Sequence, residues 1–396
     1  MKMIDRAKNI EKDIINWRRY IHKNPEVGLN TPATQEYVKK ELEKMGIECK
    51  TYKNCSGISA VIGKKEGKVI ALRADIDALP IKEETDFEFK STNGNMHACG
   101  HDAHTAMLLG AAKILKENED MLNGKVKLIF QPGEEIDGGA KVMIEEGVLE
   151  NPKVDALIAQ HVAIAKGFES GKIALKENQV LASSDKVFIK IKGNGGHAST
   201  PELCIDPIMA SAQLINNIYS IVSRELSATD SVALSIVNVK SEQPEHAVTN
   251  IIPNYVEMMA SVRSLDNNLR DYINERIGQI LESNSLSMRT SYEYKYVYGY
   301  PALINNNNMV KLVDNTCNEL LEKGSVVKLP KPAMGSEDAA YYLQQVPGVY
   351  FALVVGDLDK EGYYPLHNPK MKLDEEVLYK GTAVLAESAI NYLNEK

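Results

Sequence analysis

Several features that would define a protein class are scarce in this chain. It has one tryptophan and five cysteines in 396 residues. Cys49, Cys55, Cys99, Cys204 and Cys317 are scattered and odd in number, which argues against a disulfide framework and fits a reducing, cytoplasmic setting. No stretch of about 18 apolar residues occurs, so no transmembrane helix is expected. Charges recur every few positions in Met1–Arg6, so no secretory leader is expected there. Lys and Arg total 46 against 54 Asp and Glu, a net charge of -8, which argues against a general nucleic-acid or anionic-membrane partner. Internal repeats and low-complexity segments are absent. What remains is an ordinary globular balance, 44% hydrophobic and 25% charged, long enough for two domains or one with an insertion.

Apolar spacing predicts the elements. Residues 5–21 place Ile10, Ile14, Trp17 and Ile21 at helical intervals, and a second helix over 34–45 stops at Gly46. Val69–Ala74 is a buried-strand run ending in Asp75-Ile76-Asp77, and His104–Asn118 is helical. Val126–Phe130 is a strand ending just before Glu134-Glu135, 139–146 is a helix, and 154–159 is a strand ending at His161. Such alternation predicts a mostly parallel sheet flanked by helices, with ligands beyond the carboxyl ends of its strands. From about Ser183 the order becomes strand, helix, strand, strand, helix, strand, the ferredoxin-like pattern. The expected organisation is a parallel-sheet domain over 1–182 and 300–396, with an inserted α+β domain over 183–299.

Four short pieces carry the chemistry: His97-Ala98-Cys99-Gly100-His101-Asp102, Gln131-Pro132-Gly133-Glu134-Glu135, Ala159-Gln160-His161 and Leu366-His367-Asn368-Pro369. Thiolate, imidazole and carboxylate are the side chains that hold divalent transition metals. Each piece alone has a plainer reading. Cys-x-His and His161 also suit a core, Glu-Glu doublets recur on solvated helix faces at Glu83, Glu145 and Glu375, and His367 suits a surface loop. Together they would converge on one sheet edge, where one glutamate could bind metal while its neighbour acts as a base. Asp75 and Asp77, on one side of a strand end, could orient ligand imidazoles or merely cap the strand. His197, in Gly195-Gly196-His197-Ala198-Ser199, could reach a substrate from an exposed loop. His22, His104 and His246 receive no role.

With Arg73–Pro80 and Gly335-Ser336-Glu337-Asp338 added, the set resembles the dinuclear metallo-amidohydrolases: aminoacylases, hippurate hydrolases, auxin-conjugate hydrolases and related carboxypeptidases. The resemblance runs over essentially the whole chain, in the same order. It implies that Cys99, His101, Glu135, His161 and His367 hold two divalent ions, with the Cys99 thiolate shared or nearly so. Zinc or manganese is expected, and cobalt or nickel would also be accepted. It implies Glu134 as general base and acid, and His197 as a donor to the scissile carbonyl oxygen, in its own site or in a partner subunit's. Asn250, Arg263 and the Gly335 backbone would hold the substrate's carboxylate, and the inserted domain would serve as a lid and homodimer interface. Metal would acidify a water, Glu134 would take its proton and pass it to the leaving amine, and a bidentate guanidinium would select a free carboxylate.

The implied activity is hydrolysis of N-acyl amino acids, with a carboxypeptidase as the alternative. A non-catalytic metal-binding relative would lack the base, which this chain has, and a purely structural dimerisation protein would bind no metal. Two positions depart from the family's pattern: Glu202, where the family often has histidine, and Glu245-His246, where it often has Gly-Gly. These carboxylates suggest tolerance of a basic or extended substrate group.

Overall fold

A computed structural model describes residues 1–242 and 248–395. The chain divides into two compact units: residues 1–178, 304–331 and 338–396, and residues 179–303 with 332–337. The positions of Glu245 and His246 lie outside the described residues.

The first unit is built on an eight-stranded sheet in the order Cys49–Thr51, Ile58–Ile62, Gly124–Gln131, Lys68–Asp75, Ala156–Ile164, Gly348–Gly356, Ile173–Leu175, Val326–Lys328. Its four central strands, from Gly124–Gln131 to Gly348–Gly356, run parallel. Register brings their carboxyl ends level. Asp75 pairs with Gln131, Arg73 with Ala159, and Ala352 with His161. Asp75 therefore lies two residues past its Arg73–Ala159 pair, and so does His161. The central strands are buried on both faces, and their apolar stretches are broken by buried polar residues such as Arg73 and Lys127. Helix His101–Glu117 joins two parallel neighbours and is buried along nearly all its length. Its core partners include Ile14 and Trp17 of helix Glu11–Lys23, and Ala386 and Ile390 of helix Leu378–Asn394.

The second unit has the expected element order. Strands Asp185–Lys192, Val232–Ser241, Tyr255–Ser264 and Ser291–Val297 form an antiparallel sheet in which the first strand lies between the third and the fourth. That arrangement is ferredoxin-like. Val187, Ile189 and Ile191 face a core completed by Leu214 and Ile218 of helix Pro207–Ser220 and by Ile273, Ile277 and Leu281 of helix Asn267–Met288.

Element boundaries differ from the sequence reading in several places, three of which matter here. The predicted helix over 5–21 is two helices, Met3–Asn9 and Glu11–Lys23, because Ile10 takes a non-helical φ of -103° and ψ of 12°. The strand expected to end at His161 continues to Ile164, since pairing with Gly348–Gly356 persists that far. The helix expected from His104 begins at His101. Among the described residues all five cysteines are free, and no helix is long and apolar enough to cross a membrane.

Candidate metal centre

The site grows from the carboxyl ends of the parallel strands. Gly100 shapes the Cys99–His101 turn. Its φ is 86°, and a Cβ there would lie 2.4 Å from Val162 Cγ2, so only glycine lets the turn lie against the His161 strand. The helix then starts at His101 and fixes that side chain in its first turn. Glu134 and Glu135 follow the Gly124–Gln131 strand in a loop whose backbone N–H groups donate to Asp77: Glu134 N to Oδ1 and Glu135 N to Oδ2, each at 3.1 Å. His367 arrives from a distant loop. Its backbone N–H donates to Ala98 O at 2.8 Å, and its φ of 67° is left-handed, a strained conformation for a non-glycine residue.

Five side chains close into a ring. Cys99 Sγ lies 3.5 Å from His161 Nε2 and 3.3 Å from His367 Nε2. His367 Nε2 lies 3.4 Å from Glu135 Oε1, which lies 3.8 Å from His101 Nε2, and His101 and His161 complete the ring with ligand-type atoms within 4.8 Å of each other. Atoms bound tetrahedrally to one ion at about 2.0–2.3 Å stand roughly 3.3–3.8 Å apart, so the four shorter separations suit bound metal. His101 Nε2 and Glu135 Oε1 are buried with no hydrogen-bond partner, which a cation between them would satisfy. The donor set of one thiol, three imidazoles and a carboxylate suits zinc-like ions. Glu134, 7% exposed, brings a carboxylate oxygen to within 4.8 Å of ligand atoms of His101 and Glu135.

Backbone carbonyls set which ring nitrogen faces the ring's centre. His101 Nδ1–H donates to Asp77 O at 2.9 Å and His161 Nδ1–H to Val162 O at 2.6 Å, leaving both Nε2 atoms inward. Burial works against a charged His101, yet Asp75 and Cys99 beside it raise its pKa well above the usual value. Burial, reinforced by the neighbouring His104, keeps His161 neutral. Burial drives the Cys99 thiol well above its ordinary range despite His101, so the thiolate required for metal binding is one that a cation itself would stabilise.

His104, given no role by sequence, belongs to this centre. Val162 N–H donates to its Nε2 at 2.8 Å, so the ring proton is on Nδ1, which faces Asp75 Oδ1. Both nitrogens are engaged, and His104 supports the strand beside His161 rather than offering a ligand atom. It lies three residues after His101 on the same helix face, a spacing that could have flagged it. His104→Phe is expected to weaken metal binding about 10- to 100-fold, checked by competition with a chelating dye; unchanged affinity would refute the supporting role.

A second buried cluster holds the turn from behind. Asp102 Oδ2 accepts from Arg18 Nε at 2.7 Å and His22 Nδ1 at 2.8 Å, and His22 Nε2 meets Glu83 Oε1 at 3.0 Å. Burial opposes the Asp102 charge, but Arg18 and His22 hold its pKa well below the carboxylate range. Removing one member of such a buried group typically costs about 3–5 kcal/mol. His97 is buried nearby, and desolvation lowers its pKa to about 3.

The remaining candidates lie in the second unit. His197 is on a short strand, Gly196–His197, paired with Ile251–Ile252, and Ala198 N–H donates to Asn250 O at 2.9 Å. His197 and Asn250 are thus close neighbours, both exposed. Ser199 N–H donates to His197 Nδ1 at 3.1 Å, and Ser199 Oγ lies 2.7 Å from the same atom. An amide can only donate, so His197 carries its proton on Nε2. Arg263 is half-buried on strand Tyr255–Ser264, and the Gly335 carbonyl accepts from Ala182 N at 2.8 Å. Glu202 is exposed in the turn Pro201–Leu203.

A parallel sheet with thiol, imidazole and carboxylate groups gathered at its carboxyl edge, beside one further buried acid, has the make-up of a metal-dependent amide-bond hydrolase. Comparison with known proteins narrows that class: the chain belongs to peptidase family M20/M25/M40, whose profile matches residues 71–391. Thermostable carboxypeptidase 2 of Saccharolobus solfataricus is 38% identical over 100% of both chains. N-acetyl-L-cysteine deacetylase of Bacillus subtilis is 36% identical over 97% of this chain and 89% of its own. Among solved structures, the Bacillus subtilis YxeP protein, a dinuclear metal-binding peptidase, superposes with a TM-score of 0.82 at 31% identity, covering 98% of this chain and 99% of that one. The chain is accordingly a hydrolase of linear amides or peptides.

Proposed function

We propose that this protein releases free amino acids from N-acyl amino acids, using two divalent ions held by Cys99, His101, Glu135, His161 and His367. The observation that carries the proposal is the ring of ligand-type atoms with Glu134 buried beside it. Bound there, divalent ions would supply Lewis acidity that acidifies the attacking water and polarises the amide carbonyl. Glu134 accepts a proton from the attacking water on its carboxylate and delivers it to the leaving nitrogen. His197 donates its Nε2–H to the scissile carbonyl oxygen as charge develops there. Arg263 pairs with the substrate carboxylate in a two-pronged contact, aided by the Asn250 amide and the Gly335 backbone. Asp75 and Asp77 keep the imidazoles and the Glu134–Glu135 loop in place.

Zinc or manganese is the proposed metal, with cobalt and nickel as workable substitutes. The setting is cytoplasmic, and neither nucleic acid nor membrane is a partner. The second unit forms a homodimer interface and brings His197 to a substrate, in its own or in a partner's site. A metallocarboxypeptidase is the second reading, favoured by the full-length likeness to a thermostable carboxypeptidase.

Matched N-acetyl amino acids and dipeptides, assayed with metal-reconstituted enzyme, decide between the two. Higher kcat/KM on the acetyl series is expected; the reverse order establishes the carboxypeptidase. Masking the substrate carboxylate as an amide should lower kcat/KM about 10- to 100-fold through loss of the Arg263 pair, and Arg263→Met should erase that preference.

A further inference from the structure

The segment Gly335-Ser336-Glu337-Asp338 ends in a carboxylate that the chemistry above does not use. Asp338 is fully buried. Its Oδ1 accepts from Arg73 Nη2 at 2.8 Å and from Gln131 Nε2 at 2.9 Å. Its Oδ2 accepts from Gln131 Nε2 at 2.8 Å and from the Ala140 backbone N–H at 2.9 Å. Gln131 and Ala140 are the residues immediately flanking loop 132–139, which carries Glu134 and Glu135. Asp338 therefore sits at the neck of that loop. The neck is drawn tight: a Cβ on Gly139 would lie 1.7 Å from Pro132 O, so no larger residue fits there.

The loop is thus held twice, by Asp338 at its neck and by Asp77 at the Glu134 and Glu135 amides. Arg73 links the neck to the other side of the centre. Its Nε donates to Gln131 Oε1 at 3.0 Å and its Nη1 to Asp75 Oδ2 at 2.8 Å, and Asp75 in turn faces His104. Charge-assisted bonds in a dry interior are strong and directional, and a linked set of them fixes position more firmly than separate pairs.

We propose that Asp338 is a positioning residue for the hydrolysis: acting through Gln131 and Ala140, it closes the neck of loop 132–139 and so sets where Glu134 stands relative to the Cys99–His101 turn. The inference rests on the reading of Glu134 as the proton carrier. It follows from geometry, because a carboxylate on a loop transfers a proton efficiently only where the loop holds it within reach of the reacting atoms. Displacement of a reacting group by about 1 Å can cost about 100-fold in rate.

The test uses the full chain loaded with cobalt(II). Gln131→Met opens the neck while leaving the Arg73–Asp338 ion pair, and Asp338→Asn keeps the shape while removing the charge. Both should lower kcat roughly 10- to 100-fold with KM within about threefold. The thiolate-to-cobalt absorption of Cys99 should stay unchanged at saturating cobalt, since that arm is held by other residues. At saturating cobalt, which offsets any loosening of the Glu135 ligand on the same loop, Gln131→Met added to Glu134→Gln should cause little further loss, because the neck acts on the proton transfer through Glu134. Near-parent kcat in a folded Gln131→Met variant overturns the inference, as does full additivity with Glu134→Gln or loss of the thiolate band. If Glu134→Gln alone keeps full activity, the proton-carrier reading fails with it. If Glu134→Gln is inactive while both neck variants turn over normally, only the positioning role fails.

Discussion

Glu134→Gln should bind the same number of ions as the parent protein and lose about 100- to 10,000-fold in kcat. The two halves of that expectation come from different parts of the structure. Metal content should hold because the ring closes through Cys99, His161, His367, Glu135 and His101 without Glu134. Turnover should fall because the amide keeps the size and hydrogen-bonding reach of the carboxylate but cannot accept a proton. Metal analysis of the purified variant, with single-turnover kinetics on an N-acetyl amino acid, reads both halves. Full activity would remove Glu134 from the chemistry, and lost metal would make it a ligand.

Removing metal should have the second large effect. The chelated protein should lose all turnover and unfold at a lower temperature, and zinc or manganese should restore both. The stability change follows from linkage. An ion that binds only the folded chain stabilises it by RT ln(1 + [L]/Kd), about 4 kcal/mol at a thousandfold excess over Kd. The folded chain alone is expected to bind well, since Cys99 and His367 are held together across 268 positions of sequence. A melting temperature independent of metal concentration, or turnover that survives exhaustive chelation, would contradict this account.

Much of this was legible before the structure. The run Val69–Ala74 could hardly be anything but a strand buried on both faces, and parallel packing forces such strands to end along one edge. That is why Asp75, Gln131 and the His161 region come level. The second unit was readable from element order and from the alternation Val187, Ile189, Ile191. What stayed hidden was set by tertiary partners. Apart from its spacing three residues after His101, His104 shows no role until Asp75 and Val162, 29 and 58 positions away, engage its two nitrogens. His22 acquires meaning only through Asp102 and Glu83, and Asp338 only through Arg73, Gln131 and Ala140. The flanking strands Cys49–Thr51 and Ile58–Ile62 were missed because they are short and bounded by glycine and polar residues. The Ile10 break was invisible because one altered turn leaves the helical spacing of apolar residues almost intact.

Anomalous diffraction from crystals grown with zinc or manganese tests the central claim most directly. The account predicts two peaks per chain among Cys99, His101, Glu135, His161 and His367, with the Glu134 carboxylate bound to neither. Peaks that avoid these side chains, or a fully loaded site in which Glu134 is itself a ligand, would contradict it.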